Sequence, residues 1–294
     1  MTESTGYGNS LFGTKNTITC NGKTYDLTTP LVMGIINITP DSFYEGSRYS
    51  NESEILKRTE AIISEGGSIV DIGACSTRPG SILISENEEL SRLLPALVSI
   101  RKYFHDTLLS IDTFRSNVAD KVISETGSCI INDISAGDFD SDMFEAVARL
   151  QVPYVIMHMK GNPRNMQVNP EYKDVVTEII SYFVTKIHVL RTYGIHDIII
   201  DPGFGFGKTI EHNYHLLSKL DSFRIFGLPV LAGISRKSMV FKLLGKEPTE
   251  ALSGTIALNT IALLKGAKII RVHDVKEAVD TVKVVQKYFI CHIA

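Results

Sequence analysis

The stretch from Ile198 to Thr209 joins a run of β-branched residues to one carboxylate, Asp201, and then to Pro202 and three alternating glycines before Lys208. That pattern is a buried strand ending where backbone comes close to a ligand. It is not a phosphate-binding P-loop, because Pro202 stands where Gly-x-x-x-x-Gly-Lys-Thr requires its first glycine. Other apolar runs end in Asn37, Asp71, Asp112, Asn132 with Asp133, His158, Ser235 to Lys237, and Arg271 with His273. Asp112, Asn132 and Asp201 offer acceptor oxygens and one amide donor. Such a set suits a flat heterocycle carrying several N–H groups, since a carboxylate accepts two parallel hydrogen bonds and is costly when buried unpaired. Lys237 supplies the opposite polarity for a ring carbonyl or nitrogen. Arg271 and His273, with the loop that carries Arg78, make an anion site of the phosphate or pyrophosphate kind. Asn37 offers the neutral oxygen that Mg2+ takes when its other ligands are phosphate and water.

These groups meet only if the elements bearing them are parallel strands of one barrel. Residues 17 to 28 alternate around Asn21-Gly22, a two-residue hairpin signal, and the hairpin is expected to close the bottom of that barrel. Strands are then expected at Leu31 to Asn37, Ser68 to Gly73, Leu108 to Asp112, Cys129 to Asp133, Pro153 to His158, Asp197 to Asp201, Pro229 to Ala232 and Lys268 to Val272. Helices fall between them, the first from about Ser53, where Ile55, Leu56, Ile62 and Ile63 recur at helical spacing, to Glu65 before Gly66-Gly67. The last is expected over Asp274 to Lys287. Strict alternation implies parallel strands with helical crossovers, and 294 residues suit a (β/α)8 TIM barrel, which needs roughly 250. An open Rossmann sheet is disfavoured because no Gly-x-Gly-x-x-Gly turn follows an early strand. Residues 1 to 16, rich in Gly, Ser, Thr and Asn, read as a flexible tail before a single domain spanning 17 to 294.

Charge and cysteine usage narrow the function classes. A net charge of -3 gives no basic face for nucleic acid. The four cysteines lack metal-type or Cys-x-x-Cys spacing, and the N-terminus lacks a signal-peptide pattern. No apolar stretch approaches a membrane span. The reading is a cytoplasmic enzyme.

Taken together, Asn-Ile-Thr-Pro-Asp-Ser-Phe (37 to 43), Asp-Ile-Gly (71 to 73), Ser-Thr-Arg-Pro-Gly (76 to 80), Ser-Ile-Asp-Thr (110 to 113), Ile-Asn-Asp-Ile-Ser (131 to 135), Asp-Pro-Gly-Phe-Gly-Phe-Gly-Lys (201 to 208), Ser-Arg-Lys (235 to 237) and Arg-Val-His-Asp (271 to 274) resemble the dihydropteroate synthases of the bacterial folate pathway. The resemblance runs from about residue 17 to the C-terminus. It implies condensation of 6-hydroxymethyl-7,8-dihydropterin pyrophosphate with 4-aminobenzoate to give 7,8-dihydropteroate, with Mg2+ as cofactor and a homodimer as the assembly. It places pterin contacts at Asp112, Asn132, Asp201 and Lys237, and the anion site at Arg271 and His273. Mg2+ falls to Asn37, second-loop substrate contacts to Thr77 and Arg78, and 4-aminobenzoate contacts to Ser238 and Pro79, with Phe43 on the loop that closes over them. Asp112, Lys237, Arg271 and His273 are the catalytic set it implies.

Other polar groups have simpler readings. Asp133 caps the turn after its strand, His158 is a pocket wall, and Lys208 supports its own loop. Asp71 holds a neighbouring loop. His212 and His215 share a helical face but lack a third ligand for a metal. Two departures from the family pattern, Ala74-Cys75 before Ser-Thr-Arg-Pro-Gly and Tyr44-Glu45 after Pro-Asp-Ser-Phe, lie on the first two loops and bear on 4-aminobenzoate and sulfonamide affinity. The rival enzyme class is a pterin-binding methyltransferase barrel of the methyltetrahydrofolate-corrinoid type, which has no use for a pyrophosphate cluster. A non-catalytic pterin-binding barrel would be expected to lack Asn37, Arg78 or Lys237, and all three are present.

Overall fold

The computed structural model describes residues 15–38, 48–75, 83–163 and 165–293, without the side chains of 48–51, 292 and 293. The expected tail therefore falls almost wholly outside the described residues. The hairpin pairs β1 (Thr17–Cys20) with β2 (Lys23–Asp26). Its turn has Asn21 at φ 52° and Gly22 at φ 70°, the two left-handed positions that an Asn-Gly hairpin turn requires.

Eight parallel strands come next: β3 (Leu31–Asn37), β4 (Ile69–Gly73), β5 (Leu108–Asp112), β6 (Ile130–Asp133), β7 (Tyr154–Met157), β8 (Ile198–Asp201), β9 (Leu231–Ala232) and β10 (Ile269–Val272). Their order is β8-β7-β6-β5-β4-β3-β10-β9, and a parallel bridge between Ile200 and Val230 joins the two ends into a closed barrel. β9 is shorter than expected. Pro229 has no N–H to give, and the Val230 carbonyl is shared between the Lys268 and Ile269 amides, so regular pairing starts only at Leu231.

The crossover helices are α1 (Arg48–Ser64), α2 (Glu86–Tyr103), α3 (Ser116–Thr126), α4 (Met143–Leu150), α5 (Val175–Thr192), α6 (Ile210–Ser218), α7 (Ser238–Leu244), α8 (Leu252–Leu264) and α9 (Val275–Ile293). α1 begins a turn before the expected start because apolar periodicity begins only at Ile55, and α9 runs beyond Lys287. None of the described helices is long and apolar enough to cross a membrane.

Strand alternation sorts the barrel into two faces. One residue from each strand, Met33, Ile69, Leu108, Ile130, Val155, Ile199, Leu231 and Ile269, joins Ile18, Cys20 and Leu27 of the hairpin segment in one buried apolar cluster. The hairpin thus seals the end of the barrel opposite the strand C-termini. Two residues further along those strands stand Asp71, Ser110, Asn132, Asp201 and Arg271, with Ile35, Met157 and Gly233 completing the layer, so five of its eight positions are polar. Residues of the opposite parity, such as Val70, Ile72, Leu109, Ile111, Ile131 and Ile200, pack beneath the helices.

Since Ile18 is fully buried in the seal and far from the strand C-termini, Ile18→Ala is expected to cost about 2–5 kcal/mol of stability with kcat unchanged. A urea titration and a steady-state assay of the folded variant check both halves. A parallel fall in kcat would contradict the separation of seal and site.

Candidate active site

Asp71 is the centre of one wall. Its carboxylate is fully buried and accepts from the Ser110 hydroxyl at 2.6 Å, from Arg271 Nε at 2.6 Å and from Asn132 Nδ2 at 3.3 Å. Arg271 Nη2 donates to Asp112 at 2.9 Å, so one guanidinium bridges two carboxylates. A buried carboxylate needs this degree of satisfaction to be tolerated. Burial pushes Asp112 up to about 7, against the pull of Arg271 and with added repulsion from Asp71. Burial lowers the Arg271 pKa, but Asp71 and Asp112 more than offset it and hold that guanidinium above its usual value.

The facing wall is built by the glycine-rich loop after β8. Asp201 Oδ1 accepts from the Gly203 amide at 2.7 Å, the tight turn that Asp-Pro-Gly favours. Gly203 has φ 74°, and a Cβ there would lie 1.9 Å from the His158 carbonyl, so only glycine fits. Lys237 donates to the Phe204 carbonyl, and its ammonium lies 4.6 Å above the Phe206 ring. Burial raises the Asp201 pKa, opposed chiefly by Lys237, and burial lowers Lys237 to about 8, opposed by Asp201.

The two walls meet beside Gly233. A Cβ at that position would lie 3.8 Å from Asp201 Oδ2 and from Lys237 Nζ, and 3.9 Å from Arg271 Cβ. Phe114, Ile134 and Met157, with Met159 and Phe206 against them, form an apolar cluster contributed by the ends of neighbouring strands and their loops. The strand ends thus carry acceptors on both walls, with Arg271 on one and Lys237 on the other.

The remaining candidates sort by position. His273 Nδ1 lies 3.2 Å from the Ser235 hydroxyl, which also accepts from the His273 amide at 3.2 Å. Its carbonyl accepts from Arg58 of α1 at 2.5 Å. Ser238 opens α7, half-buried. Asn37 is exposed at the end of β3, in register with Gly73, which is itself in register with Asp112. Phe43, Thr77, Arg78 and Pro79 lie outside the described residues. Arg236, between two candidates, turns away and grips Asp274 with Nε at 3.0 Å and Nη2 at 2.6 Å. Asp133 accepts from Ser135, Gly137 and Tyr154 and so holds its own turn. His212 Nδ1 accepts from the Thr209 amide in a capping box. Among the described residues no three His, Cys, Asp or Glu side chains are grouped to hold a metal.

Ser110, which the sequence does not single out, is brought to the site by the fold, and Asp71, placed among the converging strand ends but read as holding a loop, stands at the centre of this wall. The available signal was parity, since each stands two residues beyond an apolar residue of the barrel's bottom layer.

The model of the family described as pterin binding enzyme matches residues 33–273. The dihydropteroate synthase of Escherichia coli K12 is 43% identical over 267 residues, which covers 90% of this chain and 94% of that protein. The chain belongs to the dihydropteroate synthase family. A Yersinia pestis dihydropteroate synthase solved with a sulfonamide drug superposes with a TM-score of 0.87 at 41% identity, covering 94% of this chain and 99% of that one. The Xanthomonas albilineans dihydropteroate synthase solved with 4-aminobenzoic acid gives 0.85 at 37% identity, with 93% and 98% covered. As a dihydropteroate synthase the chain is a transferase of folate biosynthesis, which sets aside the methyltransferase and non-catalytic readings.

Proposed function

We propose that this enzyme joins 6-hydroxymethyl-7,8-dihydropterin pyrophosphate to 4-aminobenzoate by a dissociative substitution at the pterin methylene. The observation that carries the reading is the convergence of Asp201, Lys237 and Arg271 at Gly233, with Asp112 paired to Arg271. Asp201, Asn132 and Asp112 accept the N–H groups of the pterin, and Lys237 donates to its ring acceptors. Arg271 and His273, with Thr77 and Arg78, hold the pyrophosphate and offset the charge that grows on it as the C–O bond breaks. Asp112 faces the cationic methylene left behind and stabilises it. The aniline nitrogen of 4-aminobenzoate, held by Ser238 and Pro79 under the loop bearing Phe43, is nucleophilic when neutral and attacks without a strong base.

The donor set also fits Mg2+ in one specific manner. Asn37 presents a neutral, exposed oxygen at the mouth, the kind of ligand Mg2+ takes when pyrophosphate and water supply the others. When bound there the ion would neutralise the departing pyrophosphate.

The decisive experiment is a pyrophosphate-release assay with the dihydropterin pyrophosphate, with and without 4-aminobenzoate and Mg2+. Aminobenzoate-dependent release is expected, and its absence ends the reading. A second expectation concerns pH. Asp112 must be ionised to accept from the pterin, and Lys237 must be charged to donate. kcat/KM for the pterin substrate is therefore expected to rise as pH passes about 7 and to fall beyond about 8. A pH series with the parent and Lys237→Met checks this, and an alkaline limb that survives in the variant would detach Lys237 from it.

A further inference from the structure

Lys208 is 2% exposed, yet its ammonium faces four neutral acceptors: the Gly203 carbonyl at 2.9 Å, the Phe206 carbonyl at 3.1 Å, His158 Nδ1 at 3.1 Å and the His158 carbonyl at 3.4 Å. The ammonium's donors are all satisfied, but a buried ammonium without a direct counter-charge is costly, and an apolar side chain would pack there at lower cost. Its position in the loop shows what the ammonium does. It grips the carbonyl of Gly203, whose amide donates to Asp201, and it holds the turn from which the Phe204 carbonyl meets Lys237. Asp201 therefore has a cation in front, Lys237, and a second behind, Lys208, both of which oppose its burial.

We propose that Lys208 is a positioning residue of the pterin pocket: it clamps the Gly203–Phe206 turn from behind and so fixes Asp201 and Lys237 against the ring. This rests on the pterin reading of that pocket. The ammonium lies in a ring of named groups. Asp201 and His158 come from β8 and the end of β7, and Lys237 from before α7. Tyr172 and Tyr182 stack edgewise or tilted on His158, Lys160 bears on that histidine, and the Asn213 amide binds the Lys208 carbonyl. Burial and Lys208 hold His158 neutral, down to about 2, so it acts as acceptor throughout the working pH range. The Lys208 ammonium is itself pushed well below its usual value by burial, with Asp201 opposing that shift.

The test uses full-length enzyme and 6-hydroxymethylpterin as probe, with affinity measured by calorimetry from pH 5.5 to 8.5. Lys208→Met removes charge and donors, whereas Lys208→Gln keeps a donor and removes the charge. Both are expected to weaken pterin binding at least about tenfold and to leave KM for 4-aminobenzoate within about twofold. Lys208→Arg, which keeps the donors, is expected to recover most of the lost affinity. Parental pterin affinity in the neutral variants would overturn the proposal. Should neither neutral variant fold, His158→Phe keeps the lysine and removes one acceptor: a pterin affinity at least about threefold weaker supports the clamp, and parental affinity overturns it. Asp201→Asn serves as control. If it abolishes pterin binding while the Lys208 variants bind like the parent, the pocket stands and the clamp fails, whereas if Asp201→Asn also binds normally, the pocket reading itself has failed.

Discussion

Asp201→Asn is expected to weaken binding of the pterin substrate by about 100-fold or more while the protein folds normally. The carboxylate presents two acceptor oxygens to a ring that offers parallel N–H donors, and the amide turns one of those acceptors into a donor facing a donor. Loss of one charge-assisted hydrogen bond costs about 1.5–3 kcal/mol, and leaving its partner unsatisfied adds more, so two to three powers of ten are at stake. Folding is spared because the Asn Oδ1 can still accept from the Gly203 amide, and the other contacts of the loop, from Lys208 and Asn213, are untouched. Calorimetry with 6-hydroxymethylpterin and a thermal melt separate the two effects. A dissociation constant within about threefold of the parent would remove Asp201 from the pocket. The reciprocal change, Lys237→Met, is expected to do comparable damage and also leaves the Phe204 carbonyl without its donor.

Why the turn at Asp201 was legible in sequence, and the partners of Asp71 were not, is a matter of local chemistry. Asp201 is followed by Pro202 and Gly203, and that succession marks a strand end at a ligand-facing turn without knowledge of any partner. Asp71 stands among the polar strand ends too, but Ile72 and Gly73 follow it without a Pro-Gly turn, so the sequence reads it as holding a neighbouring loop. Its role exists only through Ser110, Asn132 and Arg271, separated from it by 39, 61 and 200 positions, and no local pattern encodes those pairings. The barrel was legible because its alternation of β-branched runs and helical periodicity is repeated, and each repeat supports the others. Strand ends matched to within one or two residues where a polar group stops the run. β9 was overestimated because the competition for the Val230 carbonyl depends on a neighbouring strand. Lys208 shows the same limit: the sequence placed it as a support of its own loop, but that it reaches back to His158 across 50 positions is tertiary information.

The pairing of Arg271 with two buried carboxylates carries the other large expectation. Arg271→Met should cost about 3–5 kcal/mol at neutral pH, because it leaves Asp71 and Asp112 facing each other with no cation between them. The pH dependence has a definite sign. Asp112 already has a folded-state pKa near 7, above the ordinary carboxylate value, so the native protein binds more protons than the unfolded chain between the two. What that group contributes to stability is present at low pH and is lost as pH rises through about 7. Removing Arg271 takes away the chief influence that lowers the Asp112 pKa, so the loss should become larger and extend to higher pH. Urea titrations at pH 5.5, 7.0 and 8.5 should show the variant closest to the parent at pH 5.5 and furthest from it at pH 8.5. Replacing Asp71 by Asn in the Arg271→Met background should restore part of the stability, since it removes one of the two unpaired charges. Parallel pH profiles for parent and variant, with a loss below about 1 kcal/mol, would mean that the guanidinium is hydrated and the carboxylates are not dependent on it.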